Sequence, residues 1–584
     1  MLKNEIRNIV EKSIEKAIEK KELNLGDDYE VNLSVETPKK TEFGDFAVNI
    51  SKLSKYARKS PVEIANILKN NLDAKDCEIN IVGGFINFKL GKSYLKNILN
   101  EIYEKKEEYI KNNLGCGKKV LLEYVSANPT GPFHIGHGRW AAFGSALANI
   151  LKVSGYNVHQ EFYINDAGNQ IKNLGNSLYI RLMQAMGEKI DFPYDDEIAI
   201  KNYYSGDYLV SVGEKFLSEN YDTANKIKSE GLTKENLEIL SNFAKKAMFD
   251  LQHETLNTFR THFDEYFSEC SLYKSNEVEN CVAYLKDKNL IYEQDGALWF
   301  KTTQFGDEQD RVIKKQDGSN TYLTSDIAYH INKLKRGYDI LINVWGADHH
   351  GYIPRIKAAI EAFGYNPNAL EVILGQLVNL IIDGEQARMG KRSKMITLSD
   401  LIDEVGVDAT RFWMLMRSCD TTLDFDVNLA KSANDDNPVF YAQYAHARAC
   451  SILRHAQGEG VDNTKNLKQQ FSKEELNNIF LTVTNFNLDV LFDDESGFEA
   501  IKKLVLKLEE IKSVIYNCAN NRSVYQVCKY LLELGQIFHQ FYNTNRVLTD
   551  NVEQTKARLI LVNAFIIIMN LGLDVIGVEA PQKM

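Results

Sequence analysis

The chain has 584 residues, 44% of them apolar and 26% charged, and a formal net charge of −11 at pH 7. This length exceeds what a single hydrophobic core supports, so about two to four domains are expected. The acidic balance argues against a general coat for DNA or RNA, and no uninterrupted apolar run reaches the ~18–20 residues that a membrane span needs.

The first part of the chain, residues 1–110, mixes helical and strand patterns. Its densely charged N-terminus has no apolar signal-peptide region and predicts an amphipathic helix with Ile6, Val10, Ile14 and Ile18 on one face. Strand patterns follow at residues 77–82 and 84–90, with Gly83 in the turn between them. These patterns predict a small α+β module.

The middle of the chain, residues 111–435, repeats a strand–loop–helix pattern. Apolar strands are predicted at 119–125, 158–166, 339–350 and 371–382. Strands that alternate with helices indicate an α/β fold with a doubly wound, Rossmann-like parallel sheet. A largely helical, acidic stretch near 175–290 is predicted to be an insertion.

The last part, residues 436–584, shows amphipathic helical patterns without strand patterns, which predicts an all-α domain. The eight cysteines of the chain are scattered and include no Cys-x-x-Cys pair. Zinc is therefore not expected, and reduced thiols predict a cytoplasmic protein.

Two histidines, His134 and His137, follow a Gly/Pro-rich turn at the start of a predicted helix. For an isolated His-x-x-His pair, two polar residues without chemistry are the commoner case. Here the pair lies at the carboxyl end of a buried strand, where open α/β sheets bind ligands, and before a helix N-terminus, which favours anions. Gly136 leaves room for a flat base or a phosphate. Because no third metal ligand is near in sequence, phosphate chemistry fits better than a metal site.

Residues 126–139, SANPTGPFHIGHGR, resemble the HIGH signature of class I aminoacyl-tRNA synthetases in the form found in the arginyl-tRNA synthetase family. HIGH occurs in other nucleotidyltransferases, but the ordered set of similar motifs covers nearly the whole chain and is highly specific. The similar segments are 40–49 and 83–88 for the N-terminal tRNA-binding domain, 161–170, 321–330, 345–352 and 404–418 for the catalytic domain, and 437–454, 538–548 and 556–559 for the helical anticodon-binding domain.

The second class I signature is a mobile Lys-Met-Ser-Lys-Ser loop whose lysines hold ATP phosphates. The similar segment here is Arg-Met-Gly-Lys-Arg at 388–392, with Gly390 in the place of the serine. A solvated basic loop is the commonest meaning of such a run, but its position after a strand and before a helix favours the phosphate role. The resemblance implies ATP contacts from Met389 and Lys391, with Lys391 as a catalytic group beside His134 and His137.

An arginine site should contain more than one acid, because carboxylates accept parallel N–H bonds from a planar guanidinium. The resemblance implies that arginine is bound by Glu123, Ser126, Asn128, His134, Glu269, Tyr322 and Asp326. It implies that ATP is bound by His134, Gly136, His137, Asp348, His349, Met389 and Lys391. Taken singly, a lone acid is most often a surface group, a lone tyrosine is often a core residue, and Asn-Pro is often only a turn.

The resemblance also implies tRNA contacts at both ends of the chain, from Phe85, Asn87, Tyr441, Tyr444, Arg448, Tyr542 and Arg546. Phe85 would stack on a D-loop base that Asn87 reads, although a core phenylalanine in a strand is an equal alternative. The C-terminal residues, with His446, would meet splayed anticodon bases, although aromatic residues at helical spacing more often belong to a core.

The function that the resemblance implies is activation of L-arginine by Mg²⁺-ATP and transfer of the arginyl group to tRNA-Arg. It implies a monomer with no organic cofactor and no DNA or membrane partner. Two alternatives remain: a ligase of the same fold that serves a small acceptor, and an inactive tRNA-binding paralogue. The complete tRNA modules argue against the first, and the intact His134, His137, Asn128 and Asp326 argue against the second.

Lys391→Ala is expected to slow tRNA charging by ~10²-fold and to raise the KM for ATP, because it removes a cation aimed at the phosphates. Gly390→Ser is expected to be tolerated, since it restores the usual hydroxyl of the loop. An ATP titration of the charging rate measures both variants, and a harmless Lys391→Ala would contradict the phosphate role.

Overall fold

The N-terminal part of the computed structural model is an antiparallel sheet covered by helices. The structure describes residues 2–26, 29, 33–38, 40–74, 76–386, 396–459, 471–493 and 497–584. The first elements are α1 (Leu2–Glu19), β1 (Ser34–Glu36), β2 (Phe46–Asn49), α2 (Ser54–Ala57), α3 (Pro61–Asn71), β3 (Cys77–Val82), β4 (Phe85–Leu90) and α4 (Lys92–Lys105). The strands pair antiparallel in the order β1-β2-β4-β3.

The apolar face predicted for α1 is confirmed. Ile6, Val10 and Ile14 are buried, and Ile18 packs against the same core. The beginning of α3 follows from local chemistry, because the Ser60 side chain accepts a hydrogen bond from the Glu63 backbone N–H and Pro61 occupies the first turn. The predicted α+β module is therefore present.

The middle of the chain adds strands and helices in alternation. Its strands are β5 (Lys119–Glu123), β6 (Asn157–Ile164), β7 (Glu265–Ser268), β8 (Ile291–Gln294), β9 (Ala297–Phe300), β10 (Arg311–Lys314), β11 (Ile340–Gly346), β12 (Leu370–Gly375), β13 (Val378–Ile382), β14 (Glu385–Gln386) and β15 (Leu423–Asp426). Its helices are α5 (Ile135–Val153), α6 (Asn169–Ala185), α7 (Tyr208–Glu219), α8 (Tyr221–Glu230), α9 (Lys234–Thr258), α10 (Glu269–Lys274), α11 (Glu277–Asp287), α12 (Tyr322–Lys335), α13 (Ile353–Ala362), α14 (Leu398–Val405), α15 (Val407–Leu415) and α16 (Val427–Lys431).

A parallel sheet in the order β12-β11-β5-β6-β7 organises this part. Its central strand β5 is buried from Val120 to Glu123, as expected for a strand covered on both faces. The predicted doubly wound parallel sheet is confirmed. Because the strands are parallel, the segments that follow them meet at one edge of the sheet.

Two features differ from the sequence-based prediction. The stretch near 175–290 contains β7, a strand of the parallel sheet, after the helices α6–α9, which form a bundle with its own apolar core. The predicted single strand at 371–382 is two strands, and β13 belongs to a small separate sheet with β14 and β15. The chain leaves the parallel sheet at Gly375, where a Cβ would lie 1.7 Å from the Trp140 ring.

The C-terminal part is helical throughout its described residues, as predicted. Its helices are α17 (Pro438–Ala456), α18 (Lys473–Leu481), α19 (Phe498–Asn520), α20 (Tyr525–Thr544) and α21 (Val552–Val575). By length and composition α21 could cross a membrane, but 67% of its most apolar window is buried, as in the core helix of a helical bundle.

Buried polar contacts join the three parts. The Arg411 guanidinium is fully buried and donates to the carbonyls of Ile576 and Phe259, and burial lowers its pKa to about 10. Lys502 of α19 forms a buried ion pair with Asp45 at 2.7 Å. The C-terminal bundle therefore packs on both other parts.

Candidate active site

The loop after β5 begins with two residues in the left-handed region, Val125 at φ 69° and Ser126 at φ 41°. A β-branched residue rarely adopts this conformation, which costs on the order of 1–3 kcal/mol per residue. The Ser126 hydroxyl holds the turn, since it donates to the Glu123 carboxylate at 2.9 Å and accepts from the Tyr163 N–H at 3.2 Å. In this ligand-free structure the predicted arginine contact Ser126 thus bonds to the protein itself.

The next residues of the loop, 128–131, are held by helices of the bundle α6–α9. The Gln252 side-chain amide donates to the carbonyls of Asn128 and Gly131, at 3.0 and 2.7 Å. The Tyr208 hydroxyl donates to the Thr130 carbonyl at 2.8 Å. These bonds fix the backbone of Asn128, whose side chain is half-buried at the mouth of the site.

His134 and His137 cap the N-terminus of α5 reciprocally. His134 Nδ1 accepts from the His137 N–H at 3.4 Å, and His137 Nδ1 accepts from the His134 N–H at 3.2 Å. The rings stack with centroids 3.6 Å apart. Since each Nδ1 is an acceptor, the proton of each neutral ring is on Nε2. Burial lowers the pKa of His134, and burial with the neighbouring His134 lowers that of His137 to about 3. Both imidazoles are therefore neutral N–H donors at neutral pH.

Gly136 is required by the ring of His134. A Cβ at this position would lie 2.9 Å from His134 Cε1 and 3.0 Å from Nδ1. The segment before α14 also contacts this turn. Thr397 forms an isolated antiparallel β-bridge with His134, and the Leu398 N–H donates to the Phe133 carbonyl at 2.8 Å. Residues 387–395, which include the predicted Met389 and Lys391, lie outside the described residues.

Asp326 and Glu269 form an acidic pair at the amino ends of α12 and α10. Burial, together with the charges of Glu269 and Glu123, raises the pKa of Asp326 to about 7, although the Tyr352 hydroxyl and Lys333 oppose this shift. Burial also raises the pKa of Glu269, which is 5% exposed and lies beside Ser325. A planar cation placed between the two carboxylates would favour their ionised forms and lower both pKa values.

Asp166 holds the turn that presents Glu269. Its carboxylate accepts from the Ser268 hydroxyl at 2.9 Å and from the Cys270 N–H at 3.0 Å, on either side of Glu269. Lys245 of α9 lies 3.3 Å from Asp166 and balances its charge. The orientation of Glu269 therefore depends on two residues that the sequence-based prediction did not include.

Glu123 differs from the other two acids because it already has a cation. The fully buried Lys333 ammonium lies 2.5 Å from Glu123 Oε2 and donates to Asn343 Oδ1 at 3.0 Å. Lys333 therefore already neutralises part of the charge with which Glu123 is predicted to attract a substrate ammonium group. Asp326 and Glu269 remain the acids without a matched cation among the residues that the structure describes.

The other predicted residues of the site lie at its exposed rim. Tyr322 begins α12 and is 72% exposed, and it stands one turn before Asp326 as the helical spacing predicted. Asp348 and His349 follow β11, are exposed, and lie 3.7 Å apart. Tyr352, four residues beyond Asp348, contacts Asp326 and was missed, although its place after β11 is a signal that sequence reading can use.

The set of residues in the described chain with metal-ligand spacing is His159, Glu161 and Glu265. The Arg336 guanidinium lies within it, 2.6 Å from Glu161 and 3.0 Å from Glu265. This arginine supplies the positive charge that the two acids need, so the set has no need of a metal ion.

Phe85 and Asn87 lie on one face of β4, and Ile86 and Phe88 lie on the opposite face in the core. Asn87 is 3% exposed, and its amide nitrogen lacks a hydrogen-bond partner within the described residues. A buried donor without a partner is unfavourable, and a base placed against this face could supply the acceptor.

The predicted residues of α17 and α20 lie together on the C-terminal bundle. Arg448 lies 4.9 Å over the Tyr542 ring and donates to its hydroxyl at 3.2 Å. Tyr441 and Tyr444 both pack on His539, which the sequence-based prediction missed. Arg546 is exposed just after α20.

His446 does not belong to this surface. It is 1% exposed, and its Nδ1 bonds with the Pro581 carbonyl at 2.9 Å. The prediction that it meets an anticodon base is wrong, because its ring fixes the C-terminal segment against α17.

Comparison with known proteins identifies the parts of the chain. Residues 4–90 match the arginyl tRNA synthetase N terminal domain, residues 95–418 the catalytic domain of class I (R) tRNA synthetases, and residues 442–584 the DALR anticodon binding domain. Over 560 residues the chain is 43% identical to arginine--tRNA ligase from Listeria monocytogenes, covering 94% of both chains, and to that from Staphylococcus aureus, covering 95% of both. The structure of Thermus thermophilus arginyl-tRNA synthetase has the same fold, with a TM-score of 0.71 over 100% of both chains at 21% identity.

Arginine binding is expected to weaken as the pH falls below about 7, the pKa of Asp326, by about tenfold per pH unit. Below this pKa the ligand-free protein holds a proton that a guanidinium must displace. Calorimetry in buffers of different ionisation enthalpy should therefore show proton release on arginine binding near pH 6. Asp326→Asn should abolish that release and weaken arginine binding.

The same variant is expected to keep or raise the thermal stability of the ligand-free protein at pH 8. A raised carboxyl pKa means that the folded state binds the proton more tightly than the unfolded chain, so the ionised group lowers stability above pH 7. A Tm below that of the wild type at pH 8 would contradict the assigned environment of Asp326.

Proposed function

Since the chain belongs to the arginyl-tRNA synthetase family, we propose that its reaction, the ATP-dependent ligation of arginine to tRNA, takes place at the carboxyl edge of the parallel sheet. The observation that carries the location is the pair Asp326 and Glu269, two buried acids with raised pKa values and no matched cation in the described chain. A guanidinium offers parallel N–H groups and a permanent charge to both acids.

The substrate lies with its guanidinium between these acids and its head group toward the loop after β5. Asn128 and His134 bind the α-amino and α-carboxylate groups, Tyr322 covers the guanidinium, and Glu123 and Ser126 add negative potential from within their own hydrogen bonds. This orientation is supported by the positions of α12 and the loop, which approach the same edge of the sheet.

The first step joins an arginine carboxylate oxygen to the α-phosphorus of ATP. The bond from that phosphorus to the bridging oxygen breaks, and pyrophosphate leaves with its electron pair. His134 and His137 donate from Nε2–H to the phosphate oxygens, and Lys391, by resemblance to the family, adds a positive charge. The contribution of these groups is positioning and charge stabilisation rather than covalent chemistry.

The nucleotide itself enters as Mg²⁺-ATP, so the metal ion is part of the substrate. Gly136 allows it to approach the first turn of α5, and Asp348 and His349 are exposed where a ribose would lie. Met389 completes the nucleotide site by resemblance to the family. In the second step the terminal ribose hydroxyl of tRNA-Arg attacks the arginyl carbonyl, and AMP leaves.

The tRNA is bound by both ends of the chain. Phe85 and Asn87 receive a D-loop base, since the unpartnered amide of Asn87 offers a donor on that face. Tyr441, Tyr444, Arg448, Tyr542 and Arg546 receive anticodon bases, with His539 completing the surface. We also propose that the enzyme is a cytoplasmic monomer whose modules divide at residues 110 and 435.

A charging assay with labelled arginine, ATP and bulk tRNA tests the function. We expect arginine to be charged, lysine to be rejected by ~10⁴–10⁵ in kcat/KM, and canavanine to be discriminated only weakly. Lysine has a compact ammonium that cannot satisfy two separated acids, whereas canavanine keeps the planar fork. Lysine charging within about tenfold of arginine would contradict the two-acid site.

Asn87→Ala is expected to raise the KM for tRNA-Arg about tenfold and to leave the KM values for ATP and arginine unchanged, because one base contact contributes ~1–3 kcal/mol. Asn66→Ala is the matched control, since Asn66 is exposed on α3, which packs on the opposite face of the sheet. Equal tRNA affinities of the two variants at matched salt would remove Asn87 from the tRNA site.

A further inference from the structure

A row of polar side chains crosses the parallel sheet in register. Asn343 of β11 pairs with Glu123 of β5, Glu123 with Glu161 of β6, and Glu161 with Glu265 of β7. Residues in register on parallel strands point to the same face, so the row faces one helix layer. Asn343, Glu123 and Glu161 are buried, and such groups require partners.

Helix α12, which carries Asp326, supplies those partners from a single face. The Tyr329 hydroxyl donates to Glu161 at 2.5 Å, and Arg336 donates to Glu161 and Glu265. Lys333 donates to Glu123 and Asn343. These contacts can all form only when α12 lies on the sheet in one rotation about its own axis and at one position along the strands.

Lys333 is the branching point of a continuous chain of hydrogen bonds. On one side it reaches Asn343 Oδ1, and the Asn343 amide nitrogen lies 2.8 Å from His330 Nε2. His330 Nδ1 lies 2.7 Å from the Asp326 carbonyl. On the other side Lys333 reaches Glu123, which accepts from the Ser126 hydroxyl, which in turn accepts from the Tyr163 N–H.

The donors and acceptors of this chain fit together without conflict. Neutral His330 donates from Nδ1 and accepts at Nε2, and its pKa is lowered to about 3 by burial and by the charge of Lys333. The Asn343 amide then donates to His330 and its oxygen accepts from Lys333. Because each donor in this hydrogen-bond chain has its own acceptor, a change in the middle leaves a buried group unpaired on at least one side.

The two ends of this chain of hydrogen bonds lie in the two halves of the proposed arginine site. One end is the second turn of α12, which carries Asp326, the acid proposed to bind the guanidinium. The other end is the turn of Val125 and Ser126, whose left-handed conformations need an external hold and which leads into Asn128 and His134.

We propose that Lys333 is a positioning residue of the arginine site, whose ammonium group fixes the Asp326 end of α12 and the strained Val125–Ser126 turn at one separation. It touches no substrate, since it is fully buried beneath the site. The inference rests on the proposed function, because it assigns the separation of the guanidinium and head-group subsites.

The test compares Lys333→Met and Asn343→Leu with the double variant in the full-length enzyme at saturating tRNA. Each single variant is expected to lower kcat/KM for arginine by ~10²-fold, as a displacement of about 1 Å does, with the KM for ATP within threefold of wild type. Since both residues act through one chain, the double variant should also lose ~10²-fold rather than ~10⁴-fold. The proposal would be overturned if the losses of kcat/KM for arginine were additive in the double variant, or if the KM for ATP rose as much as kcat/KM for arginine fell.

Lys502→Met is the matched control for stability. Lys502 is also a buried lysine in an ion pair, with Asp45, but it lies between the N-terminal module and the C-terminal bundle. We expect it to lower the Tm while kcat/KM for arginine stays within threefold of wild type. An equal loss of arginine kcat/KM in Lys502→Met would show general destabilisation and overturn the assignment.

Two further outcomes separate this inference from the function beneath it. A wild-type enzyme that charges arginine, with a folded Lys333→Met within threefold of it, refutes the positioning role alone. A wild-type enzyme that does not charge arginine refutes the proposed function, and the positioning role with it. If Lys333→Met does not fold, Asn343→Leu decides, because it keeps the Lys333–Glu123 ion pair.

Discussion

Two buried acids, Asp326 and Glu269, have no matched cation among the residues that the structure describes, and the rest of the candidate site depends on them. Asp326 and Glu269 come from helices separated by helix α11 and three short strands, yet both lie at the same edge of the parallel sheet, and burial raises both pKa values. A protein that served only stability would replace one acid by a neutral group. A guanidinium bound between the two acids, as proposed, would offset their repulsion and so favour a planar cation over other substrates.

The rest of the catalytic part can be understood as the support that this pair requires. Glu123 is as buried as Glu269 and its charge also acts on Asp326, but its ion pair with Lys333 makes it part of the scaffold as well. Buried ion pairs are weak contributors to stability, since desolvation offsets much of their attraction, and their best-attested role is to select one arrangement. Here they select one placement of α12 on the sheet, and Asp326 is placed with it.

The sequence was sufficient for features whose signal is local. Apolar periodicity predicted α1 and the parallel strands, and the position of His134 and His137 after a Gly/Pro-rich turn predicted the start of α5. It was insufficient for contacts between distant residues. Glu123 and Lys333 are 210 residues apart, and Gln252 lies 124 residues from the Asn128 carbonyl that it holds. A strand of four half-buried residues such as β7 lacks the alternation that reveals longer strands.

Local pattern also misjudged what a side chain does once it is buried. His446 has the helical spacing of a base-reading surface, but the C-terminal segment covers it, and its ring bonds to the Pro581 carbonyl. The competing partner comes from a segment that the local sequence does not contain.

The helical bundle α6–α9 acquires a role from the same long-range contacts. It interrupts the sheet between β6 and β7, which makes it an insertion by topology. Yet Gln252 and Tyr208 hold the loop of Asn128 on one side of the site, and Lys245 balances Asp166, which orients Glu269, on the other. The proposed head-group subsite and one of the two acids proposed to bind the guanidinium are thus held by a single bundle, while Asp326 is held by Lys333 through the sheet. A movement of the bundle would change the distance between the bracing points without altering any residue that touches arginine, so the bundle is part of the active site in the physical sense.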